Sequence, residues 1–297
     1  LMRKKLGVDA SPLTTNSAGI GRYCDEVVSR LDSEEYEVFL FSNEKIICSN
    51  LIEAKKIESK LYSKVGKLFW FFCILPLQLY KYDVDTFWTP CHRVPFFLSK
   101  KINVVISVND LVWKRFRSTM PFLRGIQERL LFPIAVKRAN TIVAVSQSTQ
   151  NDLIEFFPLA SSKSVVVPLA PFVPRAIHKS ELQKGTFERG FFLFVGTFEP
   201  RKNIVRLLKA YASLSIKQRS SHGLVLAGKT GWGKDNYEKI VSDLGIGKNV
   251  LIVRPKSDEE LAAWYKAAFA LVMPSLYEGF GLPLLEANSY GVPLITS

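Results

Sequence analysis

Short apolar runs of four to six residues alternate along this chain with longer amphipathic stretches. Continuous apolar runs belong to strands buried on both faces, and a helix-length return between them is what a parallel sheet requires. In the first half the runs fall at Leu6–Asp9, Val38–Phe41, Thr86–Trp88, Val104–Val108, Thr141–Ser146 and Ser164–Val167. In the second half strands are predicted at Phe191–Val195, Leu224–Ala227, Val250–Val253, Phe269–Met273 and Leu294–Thr296, with helices at Asn203–Leu214, Tyr237–Leu244 and Asp258–Ala268. The stretch from Pro168 to Gly190 carries Pro168, Pro171 and Pro174 and little periodicity, which marks it as a connection. The pattern predicts an α/β protein of two Rossmann-like domains, residues 1–175 and 190–297, joined by a linker at 176–189. At 297 residues the chain can give each domain its own core.

The stretch from Glu278 to Glu286 sets two carboxylates eight residues apart around a glycine turn. Pro283 suits a first helical turn, where its missing N–H would be unpaired anyway, so a helix is predicted to begin near Leu282. The unpaired N–H groups and positive dipole end of that helix suit an anion just outside it, beside Gly279, Phe280 and Gly281. Glu286, three and four residues beyond Pro283 and Leu282, returns to their face and can accept two hydrogen bonds, as a ribose diol offers. Glu278, before the turn, points to another part of the same ligand. One loop and turn can thus hold a hydroxylated group, a phosphate and a ribose, the parts of a nucleotide sugar. The plain structural alternative is a solvated loop glutamate and a first-turn glutamate favoured by the dipole.

A second phosphate device is the strand end Phe194-Val195-Gly196, which leads through Thr197 and Pro200 to Arg201, Lys202 and Asn203. Asn203 is the expected N-cap of the following helix. Two adjacent cations at the carboxyl end of a strand suit a diphosphate leaving group, whose charge grows as a glycosidic bond breaks. Either cation alone would read as a surface residue. After the first strand, Gly19-Ile20-Gly21 precedes a helix expected to run to about Leu31, and residues without side chains let a backbone approach a ligand closely. Strand Val104–Val108 ends in Asn109-Asp110, which reads either as a turn or as a hydrogen-bonding pair for a sugar hydroxyl. Ser146 and Ser148 read as an N-cap and a turn.

These residues, with Pro274-Ser275, Ala287 and Gly291-x-Pro293, make the sequence resemble the family 4 (group 1) retaining glycosyltransferases. The resemblance extends through most of the chain. It implies the GT-B fold, two Rossmann-like domains whose parallel sheets face a central cleft, the first on the acceptor side and the second binding the nucleotide sugar. It assigns Glu278 to the donor sugar and Glu286 to the ribose, and it gives the Gly19–Gly21 loop a place near phosphates and acceptor. Many members carry an arginine where this chain has Thr197, and a histidine at the position of Asn109. Asn109 can bond a sugar hydroxyl but cannot take up a proton. Enzymes of this family are thought to need no protein base, the departing phosphate oxygen accepting the acceptor's proton. Members also continue for several tens of residues past the position of Ser297, so the sequence reads as a fragment with an incomplete second domain.

Charge refines the picture. The net charge is +13, and between residues 44 and 138 Lys and Arg outnumber Asp and Glu 17 to 7. The same region holds the aromatic run Leu68–Leu75 and the basic-aromatic run Trp113–Arg117. The apolar stretch is too short to span a bilayer, so it reads either as a buried helix or as a surface against anionic lipid. No recognised nucleic-acid motif accompanies the charge, so nucleic acid is not expected as a partner. Cys24, Cys48, Cys73 and Cys91 lie far apart and read as free thiols, and three histidines are too scattered for a zinc signature. Met2–Lys5 leads straight into a strand without a signal-peptide core, which predicts a cytoplasmic protein, peripheral at the inner face of the plasma membrane.

The expected function is transfer of a hexose, mannose from GDP-mannose as first choice by resemblance, to a lipid-linked or glycan acceptor in cell-surface polysaccharide synthesis. No cofactor is expected, and no metal, because no Asp-x-Asp motif stands in a suitable loop. The alternatives are a GT-B nucleotide-sugar epimerase, a phosphorylase, or a non-catalytic nucleotide-sugar binding protein. An epimerase would need acid and base groups, and a phosphorylase commonly a lysine-bound pyridoxal phosphate site; neither is visible. Arg254, after strand Val250–Val253, is a candidate to stack on the base.

Overall fold

The computed structural model describes residues 3–14, 19–48, 54–59, 66–172, 187, 190–233 and 235–297. Its first sheet is built from β1 (Lys4–Asp9), β2 (Tyr36–Ser42), β3 (Lys55–Glu58), β4 (Thr86–Thr89), β5 (Asn103–Val108), β6 (Thr141–Ala144) and β7 (Ser164–Val166). The second holds β8 (Phe191–Val195), β9 (Gly223–Ala227), β10 (Val250–Val253), β11 (Ala270–Met273) and β12 (Leu294–Thr296). The helices among them are α1 (Gly19–Val28), α2 (Lys67–Phe69), α3 (Leu75–Lys81), α4 (Val112–Arg115), α5 (Phe122–Arg138), α6 (Gln147–Phe156), α7 (Ile204–Ala212), α8 (Ile216–Ser221), α9 (Tyr237–Asp243), α10 (Asp258–Ala267) and α11 (Leu282–Ser289).

Every strand pairing is parallel. The strand orders are β3-β2-β1-β4-β5-β6-β7 and β10-β9-β8-β11-β12. In both sheets the order reverses once, between β1 and β4 in the first and between β8 and β11 in the second. Connections on the two sides of such a reversal leave in opposite directions, which opens a crevice at the carboxyl ends of those strands. Helices complete each sheet by burying one stripe. In α7, Ile204, Leu207, Leu208 and Tyr211 are buried at helical spacing against Phe194, Leu224 and Leu226. Trp264, Tyr265 and Ala287 cover Leu193, Val225 and Leu271 in a second cluster.

The chain divides into two compact units, Leu1–Leu111 with Ile126–Leu169, and Val112–Gly125 with Ala170–Ser297. The boundary differs from the sequence expectation, because residues 112–125 group with the carboxyl-terminal half. The reason is local: Trp232 Nε1 donates to the Thr119 carbonyl at 2.7 Å, the Arg124 guanidinium sits 5.1 Å from the Trp232 ring centre, and Phe116 packs on Tyr277 at 5.7 Å. Val112 and Trp113 are buried. Within the run Trp113–Arg117 the two aromatic residues pack, while Lys114, Arg115 and Arg117 are exposed. The expected linker at 176–189 lies, apart from Phe187, outside the described residues.

The aromatic run Leu68–Leu75 is mainly core as well, with Trp70, Phe71 and Leu75 buried and Leu68 and Phe69 half exposed. Residues Trp70–Ile74 form a π turn between α2 and α3. Pro76, after the intervening Leu75, lacks the N–H that an α ladder would need, which accounts for the widened turn.

Candidate active site

The loops leaving β8 and β11 are neighbours at the strand-order reversal of the second sheet, since β8 and β11 pair directly. After β8 the chain passes Gly196 and makes a tight turn at Pro200–Lys202. The Leu276 N–H donates to the Arg201 carbonyl at 2.8 Å, and the Asn203 side chain donates to the Pro274 carbonyl at 3.0 Å. Asn203 thus occupies the N-cap position of α7 with left-handed backbone (φ 59°) but does not cap it, contrary to expectation. Its side chain joins the two loops instead.

Four charged side chains meet there. Lys202 Nζ donates to Glu278 Oε1 at 2.5 Å, and Arg201 donates to Glu278 Oε2 at 2.9 Å and to the Tyr277 carbonyl at 3.0 Å. Arg201 also pairs through Nε with Glu199 at 2.6 Å. Lys202 is buried, its ammonium lying over Gly196. Burial raises the Glu278 carboxyl, but Lys202 and Arg201 facing it prevail and hold it below the ordinary range. Burial lowers Lys202 and raises Glu199, in each case against its charged neighbours. The cluster balances two cations with two carboxylates, a state in which each buried charge has a direct partner.

Glu278 to Gly281 leads into α11, which starts at Leu282 as the sequence predicts, with Gly281 in the left-handed conformation (φ 87°) and no side chain capping the helix. A Cβ at Gly281 would be strained in that conformation. Glu286 is buried on α11 and accepts a hydrogen bond from the Tyr265 hydroxyl at 2.7 Å. Tyr265 in turn stacks on Tyr290, so one oxygen of Glu286 is held in a fixed direction.

Sequence reasoning missed two parts of this site. Glu199 was passed over, although a carboxylate two residues before Arg201 was a usable signal. The other is the loop after β9, Gly228-Lys229-Thr230-Gly231-Trp232-Gly233. Its Gly228 N–H donates to Val253, the Gly196 N–H donates to Ala227, and the Phe198 N–H donates to Lys229. A Cβ on Gly228 would lie 1.9 Å from the Gly196 carbonyl oxygen, so only glycine permits this approach. Arg254 is exposed and donates to Thr230 Oγ1 at 3.3 Å on the same loop.

In the first unit, Gly19 and Gly21 lie in the opening turn of α1, within the helix and not in a loop before it. Asn109 follows β5, and its amide donates to the Pro90 carbonyl at 3.0 Å, which ties the ends of β5 and β4 together. Ser146 caps α6 by accepting from the Thr149 N–H. The loop after β4 also carries His92 and Arg93, each bonded at 2.8 Å to the buried Glu128 of α5. All four cysteines are free thiols, and burial pushes Cys91 up to about 12. Among the described residues no group of three or more His, Cys, Asp or Glu is arranged to hold a metal ion.

Comparison with known proteins places this architecture. Residues 178–297 match the family described as Glycosyl transferases group 1, and residues 17–170 match Glycosyltransferase Family 4. O-antigen chain mannosyltransferase B of Escherichia coli is 30% identical over 96% of this chain and 80% of its own length. O-antigen chain mannosyltransferase RfbU of Salmonella typhimurium is 27% identical over 70% of this chain and 55% of its own. WaaG, a glycosyltransferase involved in lipopolysaccharide biosynthesis, shares the fold with a TM-score of 0.73 at 18% identity, covering 98% of this chain and 80% of WaaG. Anabaena HepE in complex with UDP-glucose gives 0.67 at 16% identity, covering 99% and 80%. The fold is GT-B, and the chain belongs to glycosyltransferase family 4, the group 1 glycosyl transferases, as a hexosyltransferase.

Proposed function

We propose that this chain transfers mannose, with retention of configuration, from GDP-mannose to a lipid-linked or glycan acceptor in cell-surface polysaccharide assembly. The observation that carries the reading is the pair of cations, half-buried Arg201 and buried Lys202, fixed at the strand-order reversal beside an uncapped helix start. Such a site neutralises a diphosphate with fixed charges and amide dipoles, and the stabilisation grows as the leaving group gains charge. Glu278 contacts the donor sugar, Glu286 the ribose, and Gly279, Phe280, Gly281, Leu282 and Gly196 bring backbone to the phosphates. The departing phosphate oxygen takes the acceptor's proton, so the reading calls for no protein base and no metal. Mannose rests on the relatives, two of which are named as O-antigen mannosyltransferases.

The acceptor is proposed to bind at the first unit's own strand-order reversal, where Gly19, Gly21 and Asn109 stand at the carboxyl side of the sheet. The same unit offers a surface for an anionic membrane. Glu128 joins the start of the loop after β4 to α5, and Arg138 donates to the carbonyls of Ser99 and Ile102 near its end, so this segment runs along α5. Along that pair Phe96, Phe97, Ile126, Leu130 and Ile134 are exposed, with Phe96 stacked on Phe72. Lys100, Lys101, Arg129 and Lys137 are exposed among them, and the one acidic residue of the two stretches, Glu128, is buried. Apolar groups set among cations fit lipid of negative charge, at the inner face of the plasma membrane. Among the described residues no helix is long and apolar enough to cross a membrane.

The test is a thermal-shift panel of nucleotide sugars followed by a transfer assay, both run with EDTA present. GDP-mannose is expected to raise the melting temperature and to label a lipid extract, and Lys202→Ala to reduce transfer at least a hundredfold. A different stabilising nucleotide sugar would replace the donor assignment. Near-normal turnover in Lys202→Ala would remove the diphosphate site.

A further inference from the structure

The two cations assigned to the diphosphate are engaged by one side chain. Glu278 spans them, Oε1 on Lys202 at 2.5 Å and Oε2 on Arg201 at 2.9 Å. Arg201 has a second carboxylate in Glu199, whereas Glu278 is the direct carboxylate partner of Lys202. Glu278 and a diphosphate compete for Lys202: both are anions seeking the same ammonium, and two anions on one buried cation leave an excess of negative charge. From this geometry we propose that Glu278 competes with the diphosphate for Lys202 and Arg201, and that the donor sugar decides the contest.

The proposal rests on the nucleotide-sugar reading above. When the intact donor binds, its sugar hydroxyls donate to the Glu278 carboxylate and draw it off the cations, which then take the diphosphate. Once the sugar has left, Glu278 has lost those donors. It returns to Lys202 and Arg201 and displaces the spent nucleoside diphosphate. Gly279, directly after Glu278, places no side chain in the way of this movement. The one residue thus has opposite effects on two ligands that share the same nucleotide and diphosphate. It favours the donor that carries a sugar and disfavours the product that has lost it. Differential affinity of this kind speeds product release, which sets the turnover of many enzymes.

The experiment is calorimetric binding of GDP and of GDP-mannose, with UDP and UDP-glucose in parallel, to the unaltered chain and to Glu278→Gln. The glutamine keeps the size and one acceptor oxygen, replaces the other with an NH2 donor, and lacks the charge that holds the cations. GDP is expected to bind Glu278→Gln about tenfold more tightly or better, as loss of a charge-assisted competitor implies, while the affinity for GDP-mannose stays equal or falls. Equal or weaker GDP binding in Glu278→Gln overturns the competition. If Glu278→Gln melts too early to titrate, Glu278→Asp replaces it: the carboxylate, one methylene shorter, no longer reaches both cations, and GDP again binds several-fold more tightly. No gain with Glu278→Asp also overturns the proposal. Failure of the unaltered chain to bind any of the four ligands is a different result, which sinks the nucleotide-sugar reading itself.

Discussion

Glu128 is only 3% exposed and yet ionised, because His92 Nε2 and Arg93 each reach one of its oxygens at 2.8 Å. Burial raises its carboxyl, but the bonds and charges of His92 and Arg93 outweigh that and bring it down to about 2 from 4.5. A carboxylate depressed in the folded chain contributes stability that is complete above the unfolded value and disappears as pH falls through the folded one. The contribution should therefore be present above about pH 4.5 and drain away towards pH 2. Glu128→Gln leaves two half-buried donors short of a charge and is expected to cost about 1–2 kcal/mol near neutrality. In urea melts it should also show a flatter loss of stability between those pH values than the unaltered chain. Nothing in the order of residues announces this triad, since His92 and Glu128 stand 36 positions apart. Glu278 and Glu286 stand out in the sequence because one short segment spans both, whereas the partners that fix them, Arg201 and Tyr265, are brought in by the sheet and a neighbouring helix.

At the scale of elements, the strands with continuous apolar runs announced themselves. Phe191–Val195 and Val250–Val253 match their predicted bounds, and Leu224–Ala227 falls short by one residue. β3 did not, because Lys55-Lys56-Ile57-Glu58 has a single apolar residue and lies at the sheet edge, where charge is favoured over apolar character. The glycine loop after β9 shows the opposite case: the signal was present in the sequence, but the need for it arises only where the loop meets its neighbour. Gly228→Ala would set a methyl group against the Gly196 carbonyl, which as backbone cannot turn aside. The expected cost is about 2–3 kcal/mol in chemical denaturation. The spacing between the loops after β8 and β9 should open with it, read as weaker donor binding in calorimetry.

For the molecule as a whole, charge counted along the sequence raised a lipid-facing surface within residues 44–138, and the structure adds a further candidate inside that region. In the aromatic runs Trp70, Phe71, Leu75 and Trp113 are buried while Leu68, Phe69, Lys114, Arg115 and Arg117 are exposed, and further exposed apolar positions with cations among them lie on α5 and the loop after β4. Vesicles of phosphatidylglycerol are expected to sediment with the protein, vesicles of phosphatidylcholine much less so. Raising salt should weaken the association, as screening of surface charge requires. Leu130→Glu with Ile134→Glu should abolish it without loss of donor binding; retention by this double variant would move the membrane surface elsewhere.

The strip of residues 112–125 has a practical consequence. Because it packs with the carboxyl-terminal half, through Phe116 on Tyr277 and through Thr119 and Arg124 on Trp232, that half is not contiguous in the gene. A clone beginning at Ala170 would leave Trp232 without its acceptor and uncover the side of Tyr277, one residue from Glu278. Anyone preparing the carboxyl-terminal unit alone would have to graft the missing fourteen positions back, for instance by circular permutation, before its properties could be compared with those of the intact polypeptide.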